Sequence, residues 1–92
     1  MVQVTASEMK FEPAAITVPA GETTFQVRNG GTVIHEFEVF SGETLVDEVE
    51  DIVPGQTKDL TVNLETGEYT FVCMEPGHEE AGMKGTLTVT EE

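Results

Sequence analysis

Short segments in which apolar and polar residues alternate run through most of this 92-residue chain, and they constrain its fold more than any other feature. Leu60, Val62 and Leu64 alternate with polar neighbours, and so do Leu87 and Val89. The same alternation recurs at 2–4, 16–18 and 25–27. A period of two is that of a β-strand with one buried and one solvated face, and helical periodicity is almost absent. The pattern predicts an all-β protein.

Turn-forming residues separate these segments at regular intervals. The clusters are Pro19-Ala20-Gly21, Asn29-Gly30-Gly31, Ser41-Gly42, Pro54-Gly55 and Thr66-Gly67. Several short strands at this spacing predict a β-sandwich or barrel. The pattern allows Greek-key wiring without requiring it. The length and the absence of a linker predict a single domain that covers residues 1–92.

Residues 42–53 do not follow the alternation clearly. The apolar residues Leu45, Val46, Val49 and Ile52 fit a helical turn about as well as a strand. The same stretch is the most acidic in the chain. The sequence alone leaves its secondary structure open.

The charge of the chain excludes several kinds of partner. Asp and Glu number 18 and Lys and Arg number 4, so the formal net charge is −14. A nucleic-acid-binding protein needs a positive surface, and so does a protein that binds anionic membranes. Two interpretations remain open, which are a solubility or salt-adapted surface and an electrostatic docking face for a basic partner.

The start of the chain bears on its location. Residues 1–4 contain neither the basic nor the apolar segment of a secretory leader, and no apolar run is long enough to span a bilayer. We therefore expect no membrane insertion.

Because an unpaired thiol is an oxidation liability outside the cytosol, metal ligation would explain a single cysteine in an extracytoplasmic protein.

One segment concentrates soft metal donors. Cys73 is the only cysteine, and His78 and Met83 follow it with the spacing C-x4-H-x4-M. A second imidazole, His35, lies far upstream on the same face as Phe37 of its predicted strand. Taken singly, each residue is more often part of a core than a ligand. Together, one thiolate, two imidazoles and one thioether predict a metal site.

The geometry of this site follows from strand parity. His35 begins a strand on its apolar face, and Cys73 ends another on the face shared with Phe71. The last strand is predicted to begin near Lys84, so the segment between them forms a loop. In that loop Pro76-Gly77 suits a type II turn that folds His78 back toward Cys73, and Gly82 and Gly85 are expected to help the loop close.

The donor set also selects the metal. Zinc prefers a further Cys, His or carboxylate to a thioether, and calcium and magnesium take oxygen donors. Iron–sulfur clusters need more thiolates. A Cys, two His and a weak Met suit a mononuclear copper ion that cycles between Cu(II) and Cu(I). The acidic residues Glu75, Glu79 and Glu80 leave one alternative, in which a carboxylate replaces Met83.

Specific motifs give the chain a family resemblance. The segments 11–13, 16–22, 29–31 and 67–73, followed by Met83-Lys84-Gly85-Thr86-Leu87, resemble the cupredoxins, the small blue-copper proteins. The resemblance implies a Greek-key sandwich of about seven to eight strands and a monomeric, periplasmic or extracytoplasmic electron-transfer protein, with no enzymatic activity of its own. It also implies that His35, Cys73 and His78 are the trigonal copper ligands and Met83 the axial one.

The chain departs from the cupredoxin pattern at two positions. Many members carry Asn after the first ligand histidine and Ser or Thr after the cysteine, where this chain has Glu36 and Met74. Both changes alter hydrogen bonding near the sulfur. A narrower resemblance, over 45–55 and 63–69, is to the cupredoxin-like domain of periplasmic iron-uptake proteins, which often lack a full blue-copper ligand set.

The predicted function is therefore outer-sphere transfer of one electron by copper to or from a redox protein with a basic docking face. His78 is the expected electron port, and Glu36 and Glu38 are expected on the solvated face of their strand. The alternative is a copper carrier or storage module, or a metal-binding domain of a larger uptake protein or oxidase, without redox duty. No nucleic-acid partner is expected.

Overall fold

The computed structural model describes residues 2–7, 10–73 and 83–91, and it confirms an all-β fold. The described residues form nine strands: β1 Val2–Ser7, β2 Lys10–Glu12, β3 Ala15–Pro19, β4 Gly21–Asn29, β5 His35–Ser41, β6 Thr44–Ile52, β7 Thr57–Leu64, β8 Gly67–Val72 and β9 Lys84–Thr90. The count exceeds the expected seven to eight, and β2 contains only three residues. Among these residues no helix is long and apolar enough to cross a membrane.

The strands form two sheets that pack face to face. One sheet has the order β2-β1-β4-β7 and the other the order β3-β9-β8-β5-β6. Most neighbours are antiparallel, but β1 pairs with β4 and β3 with β9 in parallel. The chain leaves the second sheet after β6, crosses to β7 and returns as β8 beside β5. This wiring confirms the predicted Greek-key sandwich.

Four phenylalanines occupy the centre of the core. Phe11, Phe25, Phe37 and Phe71 are almost completely buried, and their ring centroids lie 5.1 to 5.6 Å apart in edge-on or tilted pairs. Aromatic pairs of this geometry stabilise a core by about 0.5–1.5 kcal/mol beyond the area that they bury. Phe37 and Phe71 lie two residues from His35 and Cys73, so the packed rings fix the strands that carry these two residues.

The ambiguous stretch 42–53 is resolved as a strand with two β-bulges. Between the pairs Phe37–Val49 and His35–Ile52, strand β5 advances by two positions and β6 advances by three, so β6 contains one extra residue. A second extra residue lies opposite the step from Val39 to Phe40. Each insertion shifts the alternation by one position, so the apolar residues acquire a spacing that resembles a helix.

Asp51 lies in the first of these bulges and adopts an unusual backbone conformation there. Its φ is 54°, in the left-handed region that few residues other than Gly, Asn and Asp adopt readily. The resulting phase change turns Ile52 into the core, where it is fully buried and pairs with His35. The bulge thus determines which side chain lies opposite His35.

Gly85 has a different role from the one that its position in the sequence suggested. It lies inside β9, and a Cβ atom at this position would meet the ring of Phe71 and lie 2.6 Å from the carbonyl oxygen of Ala14. The residue is required by the close approach of an aromatic ring and a neighbouring chain, not by loop flexibility. The prediction that it helps a loop to close on a metal is therefore wrong.

Candidate metal centre

His35 and Cys73 meet in the interior of the sandwich at one of its ends. The Sγ atom of Cys73 lies 3.9 Å from Nδ1 of His35, and both residues have 0% of their surface exposed. His35 begins β5, and Cys73 directly follows β8, the strand beside it. Both side chains lie on the core face of the sheet, as strand parity predicts.

Two hydrogen bonds arrange the surroundings of the sulfur. The backbone N–H of Glu36 donates to Cys73 Sγ over 3.3 Å. The backbone N–H of Cys73 donates to the carbonyl oxygen of Met83 over 3.3 Å. The second bond joins the two ends of the segment 74–82, and it places the fully buried Met83 beside Cys73.

The donor atoms fit a single soft metal ion. Metal–thiolate and metal–imidazole bonds of about 2.3 and 2.0 Å together reach about 4.3 Å, which exceeds the 3.9 Å between Cys73 Sγ and His35 Nδ1. One ion can therefore contact both atoms without movement of either strand. A buried thiol, a buried imidazole and an adjacent thioether residue form a donor set that suits copper.

Part of the predicted site lies outside the described residues. His78 belongs to 74–82, and so do Glu75, Glu79 and Glu80, which were considered as replacements for Met83. The predicted turn at 76–77 lies in the same segment. Of the four predicted ligands, the structure brings together His35, Cys73 and Met83.

Asn29 was read from the sequence only as part of a turn, but it is a buried centre of hydrogen bonding. Its side-chain amide donates to the carbonyl oxygens of Val33 and Ile52, each over 2.7 Å, and its Oδ1 accepts the N–H of Gly31 over 2.8 Å. Its backbone also pairs with Gly55 and with the carbonyl of residue 56. An Asn at the end of an apolar strand, before two glycines, was the available signal.

A cluster of carboxylates lies on the outer face of β5 and β6. Oxygens of Glu36, Glu38 and Glu50 lie within 4.8 Å of one another, and Glu48 is the cross-strand neighbour of Glu38. The expectation of a solvated Glu38 is wrong, since only 8% of its surface is exposed. Strand β5 lies between β6 and β8, so neighbouring side chains cover it from both sides.

This crowding changes the acidity of two of these groups. Burial raises the pKa of Glu38 to about 7, and a hydrogen bond with Glu36 and the charges of its acidic neighbours add to the effect. The pKa of Glu48 is also raised, first by a hydrogen bond with Glu50. Carboxylates that share a small region resist simultaneous ionisation, and a shared proton relieves the repulsion.

Exposed apolar residues lie at the same end of the sandwich as His35. Val33, Ile34 and Val53 are each 41–43% exposed. The Asn29 amide holds the backbone at Val33 beside that at Ile52, so the three side chains belong to neighbouring segments. Val33 precedes β5 and lies in the connecting loop.

The chain is similar in sequence to an iron-uptake protein. It is 43% identical over 89 residues to the iron uptake system component EfeO of Yersinia pestis. The match covers 97% of this chain and 23% of that protein, so the chain spans about a quarter of the length of this relative.

The fold is also similar to that of solved copper proteins. Auracyanin from Roseiflexus castenholzii matches with a TM-score of 0.86 and 20% identity, over 97% of this chain and 95% of that chain. Auracyanin A of Chloroflexus aurantiacus, described as a blue copper protein, matches with a TM-score of 0.76 and 21% identity, over 96% and 99% of the two chains. At these identities the likeness establishes the fold.

A family model decides the classification. The model of the cupredoxin-like domain matches residues 1–89, which is nearly the whole chain. Together with the sandwich topology and the meeting of His35 and Cys73 in its core, this match means that the chain belongs to the cupredoxin-like domain family.

Proposed function

We propose that this domain is a copper protein that transfers single electrons, with His35, Cys73, His78 and Met83 as the metal ligands. The observation that carries the proposal is the 3.9 Å approach of Cys73 Sγ to His35 Nδ1, two residues that are both fully buried. The similarity to a blue copper protein, auracyanin A, supports the same function. A domain of this kind is a carrier and not an enzyme.

The residues around the site suit this role. Copper, when bound, supplies a centre that gains or loses one electron, and no covalent bond of a substrate is made or broken. His35 and Cys73 lie on packed strands, which resist displacement when the charge of the site changes. The Glu36 N–H donor stabilises negative charge on the sulfur, and both Cys73 and His35 are fully buried.

A partner surface is proposed at the His35 end. Val33, Ile34 and Val53 supply an exposed apolar centre. Exposed Glu50 and Asp51 lie within three residues of Val53 in the sequence, and the chain carries a net charge of −14. Such a surface fits a redox protein with an apolar contact site surrounded by Lys and Arg, held in a weak and salt-sensitive complex. His78 is the proposed electron port.

The cellular setting belongs to the same proposal. We place the domain outside the cytoplasm, as a monomeric carrier that binds neither nucleic acid nor the membrane. The net charge of −14 supports the absence of nucleic-acid and membrane binding, since nucleic acids and anionic membrane surfaces would repel the domain. The single buried cysteine supports it as well, because a bound metal protects the thiolate from oxidation.

Copper titration tests the metal assignment. Cu(II) added to the protein should produce an intense thiolate-to-copper charge-transfer band, with one equivalent bound. Cys73→Ser should abolish the band and His35→Ala should weaken or shift it, whereas Met9→Leu, at a methionine outside the predicted ligand set, should change neither. A wild-type protein that stays colourless and binds copper no better than Cys73→Ser would overturn the proposal.

A second function is favoured by the sequence relative. The 43% identity to an iron uptake system component supports a copper-binding domain that serves a larger uptake protein, as a carrier or store without redox duty. Protein-film voltammetry separates the two functions. A fast, reversible one-electron couple supports electron transfer, and copper binding without such a couple supports carriage.

A further inference from the structure

We propose that Asn29 is a positioning residue for His35, and that it sets the distance and angle at which this imidazole meets Cys73. The inference rests on the proposed copper function for its meaning, but its geometry is present in the protein without metal. Asn29 acts through the backbone on both sides of His35.

The side-chain amide of Asn29 holds two separate segments that flank His35. One N–H donates to the carbonyl of Val33, two residues before His35. The other donates to the carbonyl of Ile52, the cross-strand partner of His35. Both distances are 2.7 Å, at the short end of the range for N–H to carbonyl bonds. One planar group thus fixes the chain before His35 relative to the strand beside it.

Every hydrogen-bonding atom of this side chain is used. Oδ1 accepts the Gly31 N–H over 2.8 Å, which closes the loop that leads to His35. Asn29 is 0% exposed, so water does not compete for these bonds. A buried carbonyl that loses its donor carries the full cost of desolvation, and the backbone shifts to find another partner. At this position, the backbone that shifts is the backbone that carries His35.

A hydrogen bond also links the residue after His35 to the sulfur of Cys73. Glu36, the next residue, donates its N–H to Cys73 Sγ over 3.3 Å. A displacement of the chain around Val33 and Ile52 therefore changes the imidazole and the N–H donor at the sulfur together. Substitution of a residue that only stabilised the fold would not displace both the His35 imidazole and the Glu36 N–H while the rest of β5 stayed in place.

The test compares Asn29 variants with a core variant at the other end of the same strand pair. Asn29→Asp keeps the acceptor for Gly31 and removes both donors, and Asn29→Ser shortens the side chain. Leu64→Ala is the control, since Leu64 is buried opposite Gly21 at the far end of β4. It destabilises the sandwich without touching the His35 end.

Two measurements are made on each variant. In metal-free protein, we expect the NMR signals of the His35 ring and the Glu36 amide to shift in the Asn29 variants and to stay at wild-type positions in Leu64→Ala. With copper, we expect the charge-transfer band and the electron paramagnetic resonance hyperfine splitting to change, and the affinity to fall about 10- to 100-fold, only in the Asn29 variants.

The outcomes separate this inference from the proposed function. Folded Asn29 variants with wild-type signals at His35 and Glu36 would overturn it. So would failure of both variants to fold while Leu64→Ala folds, because Asn29 would then be a purely structural residue. If the wild type binds no copper but the metal-free signals move as expected, the copper function fails and the positioning role stands.

Discussion

The backbone N–H of Glu36 points at the sulfur of Cys73 over 3.3 Å, and it links β5 to the end of β8 directly beside His35. An N–H donor withdraws electron density from a thiolate and stabilises its negative charge. The same hydrogen bond therefore bears on both the fold and the redox chemistry of the proposed copper site.

Removal of this donor should lower the reduction potential. Glu36→Pro deletes the N–H, so the thiolate donates more strongly and favours Cu(II). A hydrogen bond of about 1 kcal/mol corresponds to about 40 mV for one electron, so we expect a decrease of a few tens of mV. Voltammetry measures the shift. Glu36→Gln keeps the N–H and should differ far less, and equal potentials in the two variants would contradict the role of the bond.

The raised pKa of Glu38 should make the free energy of unfolding depend on pH. Because its pKa is about 7 in the folded protein and 4.5 ordinarily, the folded state binds more protons than the unfolded state between these values. Its contribution to stability is therefore greatest below about pH 4.5, is lost as the pH rises to about 7, and stays absent above it.

Glu38→Gln tests this dependence. The neutral side chain removes the repulsion, and we expect a gain in the free energy of unfolding on the order of 1 kcal/mol at pH 8, since solvent screens part of the effect. At pH 4 the gain should disappear. Urea unfolding at both pH values measures it. Glu43→Gln removes one charge outside the cluster, and a gain of the same size there would show that net charge alone is responsible.

Gly85 should tolerate no larger residue. In Gly85→Ala the new methyl group would overlap the Phe71 ring and the carbonyl oxygen of Ala14. We expect a loss of about 1–3 kcal/mol in the free energy of unfolding, because a packed core accommodates added volume only by strain. Thr86→Ala, at an exposed neighbouring position, should change it by less than about 0.5 kcal/mol. Urea unfolding of both variants gives the comparison, and similar values would refute the packing argument.

The left-handed backbone conformation of Asp51 in the bulge predicts how substitutions at this position change stability. Asp51→Gly should leave stability unchanged or raise it slightly, since glycine adopts a φ of 54° without steric cost. Asp51→Val should cost about 1–2 kcal/mol, because a β-branched residue resists the left-handed region. Thermal unfolding measures both. A Val variant as stable as the Gly variant would mean that the bulge has moved along β6.

The local pattern of the sequence determined most of the fold and the identity of the donor atoms. Alternation of apolar and polar residues depends only on neighbouring positions, so it predicted the strands and the inward direction of His35 and Cys73. The chemistry of a thiol, imidazoles and a thioether likewise depends on residue type alone. Copper could therefore be predicted without coordinates.

The tertiary structure decided what lies opposite each of these residues. The bulges of β6 disguised a strand as a possible helix, and the cover from β6 and β8 buried Glu38. The contact with Phe71 gave Gly85 its role, and the arrival of Ile52 beside Val33 made Asn29 a link between two segments. Each of these depends on strand register between residues distant in sequence, and local alternation carries no information about which strand becomes the neighbour.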